Sequence, residues 1–115
     1  MSQSGWTSFD GGKTVGQQGS EDGITLEDEE HNLGARIALE KGCRHAPFAI
    51  TCGIYGWMFH TRYFGSESEA RRAFAAMKTE LANILEMIPT VDDPEVRERG
   101  REVEEAISNF VDRFP

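Results

Sequence analysis

The sequence has few of the residues that would assign it to a secreted, disulfide-bonded or membrane class. It contains two cysteines, Cys43 and Cys52, in 115 residues. Two cysteines are too few for a disulfide framework and suit a reducing compartment, where both stay free thiols. No apolar run approaches the roughly 20 residues that cross a bilayer, and the start, MSQSGWTSFDGG, lacks the basic and apolar regions of a signal peptide. We therefore expect a cytoplasmic protein with no membrane association.

Basic residues are also scarce. Twelve Lys and Arg stand against twenty Asp and Glu, which gives a formal net charge of −8. Proteins that bind a phosphate backbone present a cationic face to it, so we expect no nucleic-acid partner. An acidic surface favours a basic protein partner instead. The hydrophobic content of 38% is enough for one core and one domain.

Motifs that would define an active site are missing. The GGKT stretch at 11–14 resembles part of a phosphate-binding loop, but Thr7 stands where that loop needs its first glycine, and neither a strand nor a helix is predicted beside it. Histidine and cysteine show no CxxC, HxxxH or HExxH spacing; Cys43 and His45 are a half-site at most, and we expect them to be solvated loop residues instead. We predict no catalytic residue, no metal ion and no cofactor.

What the chain does contain is organised in two parts. Residues 1–22 are rich in Gly, Ser and Gln without periodicity, which predicts a flexible N-terminal arm. Trp6 and Phe9 are its two aromatic residues, and they dock the arm to the body or serve as a hook for a partner. Residues 23–115 are predicted to form a single α+β domain.

Alternating apolar and polar residues predict two strands from Ile24 to Glu40. A turn centred on His31 and Asn32 would bring the apolar residues of both strands to one face. The same register would place Glu27 opposite Arg36, and this pairing would neutralise one of the few basic side chains.

The stretch ITCGIYGWMFHTRYF, residues 50–64, predicts a hairpin whose loop has two residues or four. Either loop places even-numbered residues of the first strand on the same face as odd-numbered residues of the second. One face would then be apolar, with Cys52, Trp57 and Phe59 in the core. The other face would bring together Thr51, His60 and Arg62, whose hydroxyl, imidazole and guanidinium groups are suited to a carboxylate or phosphate.

Two helices complete the prediction. Ser66 and Glu69 form a capping box at the start of the first, and Pro89 bounds its end. Asp93 followed by Pro94 predicts the start of the second. The expected fold is a four-stranded antiparallel β-meander followed by two α-helices packed on one face of the sheet.

Three hypotheses for function follow. The first is a small acidic non-enzymatic protein that acts through protein–protein interaction, with itself as a homo-oligomer or with a partner, via the second face or edge of its sheet. The alternative is a small-molecule domain, enzymatic or not, that binds an anionic metabolite at Thr51, His60 and Arg62. The third is a structural subunit of a larger assembly. In this hypothesis, three apolar residues near the C-terminus face the assembly rather than the sheet: Phe110, Val111 and Phe114.

Overall fold

The computed structural model describes residues 5–115 and contains one antiparallel sheet followed by two helices. The strands lie in the sheet in chain order. They are β1 (Trp6–Ser8), β2 (Ile24–His31), β3 (Ala35–Lys41), β4 (Phe48–Ile54) and β5 (Met58–Phe64), and the helices are α1 (Glu67–Met87) and α2 (Val96–Arg113). The predicted α+β class is confirmed, with five strands rather than four.

The additional strand, β1, lies within the segment predicted as an arm. It pairs with the end of β2, where Trp6 is opposite His31. The two rings meet edge to face with 5.0 Å between their centroids, and Trp6 is buried in the core. A strand of three residues, two of them polar, leaves no alternation that sequence patterns can detect.

The hairpin of β2 and β3 has a different register from the predicted one. Its loop has three residues and includes Gly34, whose φ of 112° favours glycine. Glu27 therefore lies opposite Leu39 rather than Arg36, and a bulge at Leu26 shifts the ladder by one residue. The predicted pair is wrong because β2 has too few apolar residues to fix its register. Glu27 instead forms an ion pair with Arg71 of α1, with 2.7 Å between Glu27 Oε2 and Arg71 Nη1.

Helix α1 begins as predicted. The Ser66 side chain accepts a hydrogen bond from the backbone N–H of Glu69, and the helix ends at Met87, before Pro89. Helix α2 begins later than predicted, at Val96. Asp93 caps a preceding turn instead, because its Oδ1 accepts from the backbone N–H of Glu95 at 2.8 Å.

The core lies between the two helices and one face of the sheet, which we call the helix face. Each fully buried aliphatic side chain here contributes roughly 1.5–3 kcal/mol relative to an exposed one. Phe110 and Phe114 of the third hypothesis are both 4% exposed and belong to this core, so they do not face outward. The most completely buried apolar side chains are Ile37, Leu39, Ile50, Cys52, Ile54, Met77, Leu81 and Val103.

Candidate functional site

The opposite side of the sheet, which we call the open face, has small residues at its centre. Ala38, Thr51 and Gly53 form the floor of a shallow trough there. Large side chains stand around them, because neighbouring strands align their side chains in rows across the sheet. One such row is Glu30, Arg36, Gly53 and Phe59, and the next is Asp28, Ala38, Thr51 and Thr61.

Position 53 has no room for a side chain, because the Phe59 ring lies across it. A Cβ atom at Gly53 would be 2.8 Å from Cδ1 of the Phe59 ring and 3.1 Å from the Met58 carbonyl oxygen. The ring itself is 82% exposed, the second-highest exposure among the large apolar side chains described. Sequence analysis assigned both Phe59 and Trp57 to the core, and both predictions are wrong, because Trp57 lies in the β4–β5 turn and is 36% exposed. The trough is thus bounded on the β5 side by an uncovered aromatic ring.

The other side of the trough is formed by residues 9–23, which we call the strap. The strap joins β1 to β2 and lies along the open face. It bonds to β2 through the backbone, with Gly16 N donating to Thr25 O and Thr25 N to Gln17 O. It bonds to β2 and β3 through two buried carboxylates, Asp28 and Glu40.

Asp28 holds the middle of the strap. Its carboxylate accepts hydrogen bonds from Arg36 Nε at 2.9 Å and Nη2 at 2.6 Å, and from the Thr14 hydroxyl at 2.9 Å. The hydrogen bonds to Asp28 raise the pKa of Arg36 above its ordinary value, so the guanidinium stays charged. Its central carbon also lies 3.5 Å from the centroid of the Phe9 ring. The buried Asp28 carboxylate thus joins the strap, through Thr14, to the half-exposed Arg36 of β3.

Glu40 holds the end of the strap. It is 1% exposed, and its Oε1 accepts from the backbone N–H groups of Glu21 and Gly23, each at 3.1 Å. Gly19 passes so close that a Cβ atom there would be 2.4 Å from the Glu40 carboxyl carbon. Tyr63 of β5 reaches the same end and donates its hydroxyl to Glu21. This end of the trough is therefore closed.

The cavity between strap, floor and Phe59 has a volume of about 560 Å³. Pockets that hold small molecules span roughly 300–1,000 Å³. Tyr55 stands at the rim, where its hydroxyl donates to Glu30 at 2.8 Å, and burial followed by this hydrogen bond raises its pKa. The trough is large enough for a ligand of two or three rings.

The structure does not bring the three predicted ligand residues together. The β4–β5 loop has three residues, because Ile54 is opposite Met58, and this reverses the face of every β5 residue. Thr51 lies on the open face and lines the trough, whereas His60 and Arg62 lie on the helix face, opposite Cys52 and Ile50 respectively. The shared face predicted for Thr51, His60 and Arg62 is wrong.

His60 and Arg62 instead contact the end of α2. A ring nitrogen of His60 hydrogen-bonds the backbone carbonyl of Phe114, and the His60 ring meets Phe110 edge to face. The guanidinium carbon of Arg62 lies 4.7 Å from the ring centroid of Phe64 and 5.8 Å from that of Phe114. Their observed contacts fix α2 against β5.

The thiols show no arrangement for nucleophilic catalysis. Cys52 is 2% exposed in the core, and burial raises its pKa to about 12. Cys43 is half-buried in the β3–β4 loop, where desolvation and then the carboxylates of Glu40 and Glu21 raise its pKa. Within residues 5–115, no three side chains of His, Cys, Asp or Glu gather where they could hold a metal ion.

The outer edge of β5 is the second notable feature. Within the described part of the chain, β5 pairs only with β4, so its other edge is open. All seven residues of β5 follow one uninterrupted register without a bulge. Its open-face side chains are Phe59, Thr61 and Tyr63, and it contains no carboxylate and no proline. The opposite edge of the sheet is β1, which has only three residues.

Sequence reasoning missed most of these residues for a common reason. Asp28 stands in a run of four acids, and nothing local distinguishes it from its neighbours. Glu40 becomes buried only because the strap, some twenty residues away in sequence, covers it. The exposure of Phe59 depends on the length of a turn. Thr51 is the predicted site residue that does line the trough.

Comparison of the chain with protein-family models, with curated proteins and with solved structures finds no match, so its function has to be inferred from this geometry. Among the helices of residues 5–115, none has the length and apolar character needed to cross a membrane.

Proposed function

We propose that the protein is a non-enzymatic interaction protein that pairs with a second copy of itself through the outer edge of β5. The observation that carries this proposal is the unprotected edge: seven regular residues with open backbone donors and acceptors and uncovered aromatic side chains. A binding role is favoured over a catalytic one because the buried carboxylates of the open face are occupied in holding the strap.

Natural sheets protect their edges with short strands, prolines, bulges or charged residues, because an exposed edge recruits other strands. The β1 edge is protected by its length of three residues. On β5, Arg62 is the only formally charged residue, and it points to the helix face, where it lies over Phe64 and Phe114. An edge with so little protection is expected where pairing with another chain is the function.

The sequence of β5 suits pairing with its own copy. Antiparallel pairing about a two-fold axis gives the longest overlap when the axis passes through Thr61, the midpoint of Met58–Phe64. Phe59 of each chain would then lie opposite Tyr63 of the other on the open face. Aromatic cross-strand pairs contribute about 0.2–1 kcal/mol each beyond an alanine pair. The absence of carboxylates on β5 keeps the acidic charge of the two chains away from this contact.

The test compares one substitution on the two edges of the sheet. In Thr61→Lys, two ammonium groups would meet at the axis, so we expect the dimer to dissociate with a Kd at least about tenfold higher. Thr7→Lys places the same side chain on β1, where Thr7 is exposed, and should leave association unchanged. Light scattering during size-exclusion chromatography should report twice 12.9 kDa for the wild type.

A wild-type mass of one chain at micromolar concentration would overturn the proposal. So would a dimer that Thr61→Lys and Thr7→Lys weaken equally, because the contact would then not involve β5. We place this self-association in the cytoplasm, in agreement with the two free thiols, Cys43 and Cys52.

A further inference from the structure

We propose that the trough on the open face is a binding site for an uncharged molecule that carries an aromatic ring system. This site shares Phe59 with the β5 edge contact but does not depend on self-association. Three features define the ligand: the small floor, the charge balance of the lining and the uncovered ring of Phe59.

The floor fits a flat ring. Gly53 is covered by the Phe59 ring, but Ala38 and Thr51 beside it present no side chain longer than a threonine, so a planar molecule can approach the sheet closely there. Thr51 retains hydrogen-bonding capacity for it, because its hydroxyl contacts only the Thr61 hydroxyl, at the long distance of 3.5 Å. A hydroxyl has one donor and two acceptor positions, so Thr51 can serve one polar group of the ligand.

The charges of the lining nearly balance, with a small excess of acid. The Arg36 guanidinium is held by Asp28, and the Glu40 carboxylate is held by backbone N–H groups. An anion bound to the exposed N–H groups of Arg36 would also face the carboxylate of Asp28, and three carboxylates line the trough against two cations, Lys13 and Arg36. Asp10 and Lys13 are exposed, of opposite sign, and both on the strap. The charge balance therefore favours an uncharged ligand.

The walls of the trough favour an aromatic ligand. Phe59 is 82% exposed, and Tyr55, 46% exposed, also lines the trough, with its hydroxyl directed to Glu30 of β2. Covering apolar surface is favourable at about 25 cal/mol per Å², and aromatic pairs add about 0.5–1.5 kcal/mol. A ring placed over Ala38 and against Phe59 would gain both contributions.

The test uses two probes that share one ring system. N-phenyl-1-naphthylamine is uncharged, and 1-anilinonaphthalene-8-sulfonate is the same molecule with a sulfonate. We expect the uncharged probe to bind one site per chain, detected by its fluorescence, at least about tenfold more tightly than the sulfonate. Ala38→Leu fills the floor and should weaken its binding at least tenfold. Ala75→Leu adds the same side chain on an exposed position of α1 and should have no effect.

Equal affinity for the two probes, or binding that Ala38→Leu does not change, would overturn the proposal. Should Ala38→Leu fail to fold, amide chemical-shift changes in the wild type decide the matter. Changes must centre on Ala38, Thr51 and Gly53, and a response confined to the helices would overturn the site. Probe titrations at chain concentrations below and above the Kd of self-association separate the two proposals, because the monomer should still bind the uncharged probe.

Discussion

At the scale of single residues, Gly19 and Gly23 of the strap are required by close contact with the sheet rather than by turn geometry. Gly23 donates its N–H to Glu40, and a Cβ atom there would be 2.6 Å from the Lys41 carbonyl oxygen. The Lys41 carbonyl could make room for this Cβ atom only if β3 moved. At Gly23 the strap backbone therefore lies against the sheet with no room for a side chain.

Gly23→Ala is expected to lower the free energy of unfolding by about 1–3 kcal/mol, the usual cost of overpacking. Gly65→Ala is the matched control, because a Cβ atom at Gly65 would meet nothing within 4 Å. Urea denaturation of both variants at one protein concentration measures the difference. Equal stability of the two would mean that the strap is not packed as described.

Gly100 is the opposite case. It lies inside α2, and a Cβ atom there would meet nothing within 4 Å. Glycine in a helix interior costs about 0.5–1 kcal/mol relative to alanine. Gly100→Ala should therefore raise the free energy of unfolding by about that amount in the same urea experiment. A loss of stability would show that α2 bends or is contacted at this position.

The two thiols should differ in reactivity. Cys52, with its pKa raised to about 12 by burial, should not react with Ellman's reagent in the folded protein. Cys43 should react, and because the thiolate is the reactive form, its raised pKa moves the increase in rate to a higher pH than for a free cysteine. Reaction rates across pH 7–10 test this, with Cys43→Ser as the control that should leave no fast phase.

At the scale of secondary-structure elements, a sequence prediction succeeds where the feature is determined by residues close together in the chain and fails where it is not. The start of α1 was predicted from Ser66 and Glu69 because a capping box acts within one turn of chain. The faces of β5 were predicted wrongly because they depend on whether a loop has an even or an odd number of residues. Gly56, with φ of 82°, indicates a turn but does not fix its length.

The strap shows the other limit of sequence reasoning. Its hydrogen bonds to Asp28 and Glu40 join residues 14 and 19 positions apart, and no local pattern encodes them. The order of four strands and two helices was predictable from periodicity. The trough was not, since it exists only where the strap returns over β2 and β3.

The register proposed for two β5 strands predicts a specific cross-link. In a Cys43→Ser background, Thr61→Cys should form an intermolecular disulfide on oxidation, because residues opposite one another across an antiparallel pair have Cα atoms about 4.5–5.5 Å apart. Tyr63→Cys should not, since residues two positions from the axis lie roughly 13 Å from their own copies. Non-reducing electrophoresis distinguishes the two, and efficient cross-linking of Tyr63→Cys instead would require a different register.

At the scale of the whole molecule, the net charge of −8 opposes association of two copies. Salt screens this repulsion, with a Debye length of about 30 Å at 0.01 M and about 8 Å at 0.15 M. The dimer should therefore become tighter as NaCl rises over this range, as measured by sedimentation velocity. Salt-induced dissociation would show instead that ion pairs between the two copies dominate the contact.

The two tryptophans lie near opposite edges of the sheet, so the fluorescence of each reports on a different event. Trp6 on β1 is buried, and its indole N–H has no hydrogen-bond partner among the described residues. Trp57 lies in the turn between β4 and β5 and is 36% exposed. The emission of Trp6 should thus follow detachment of the first strand, whereas that of Trp57 should respond to contacts made at the far end of the sheet. Replacing either by phenylalanine leaves a single tryptophan, which can be excited selectively to follow one of the two processes.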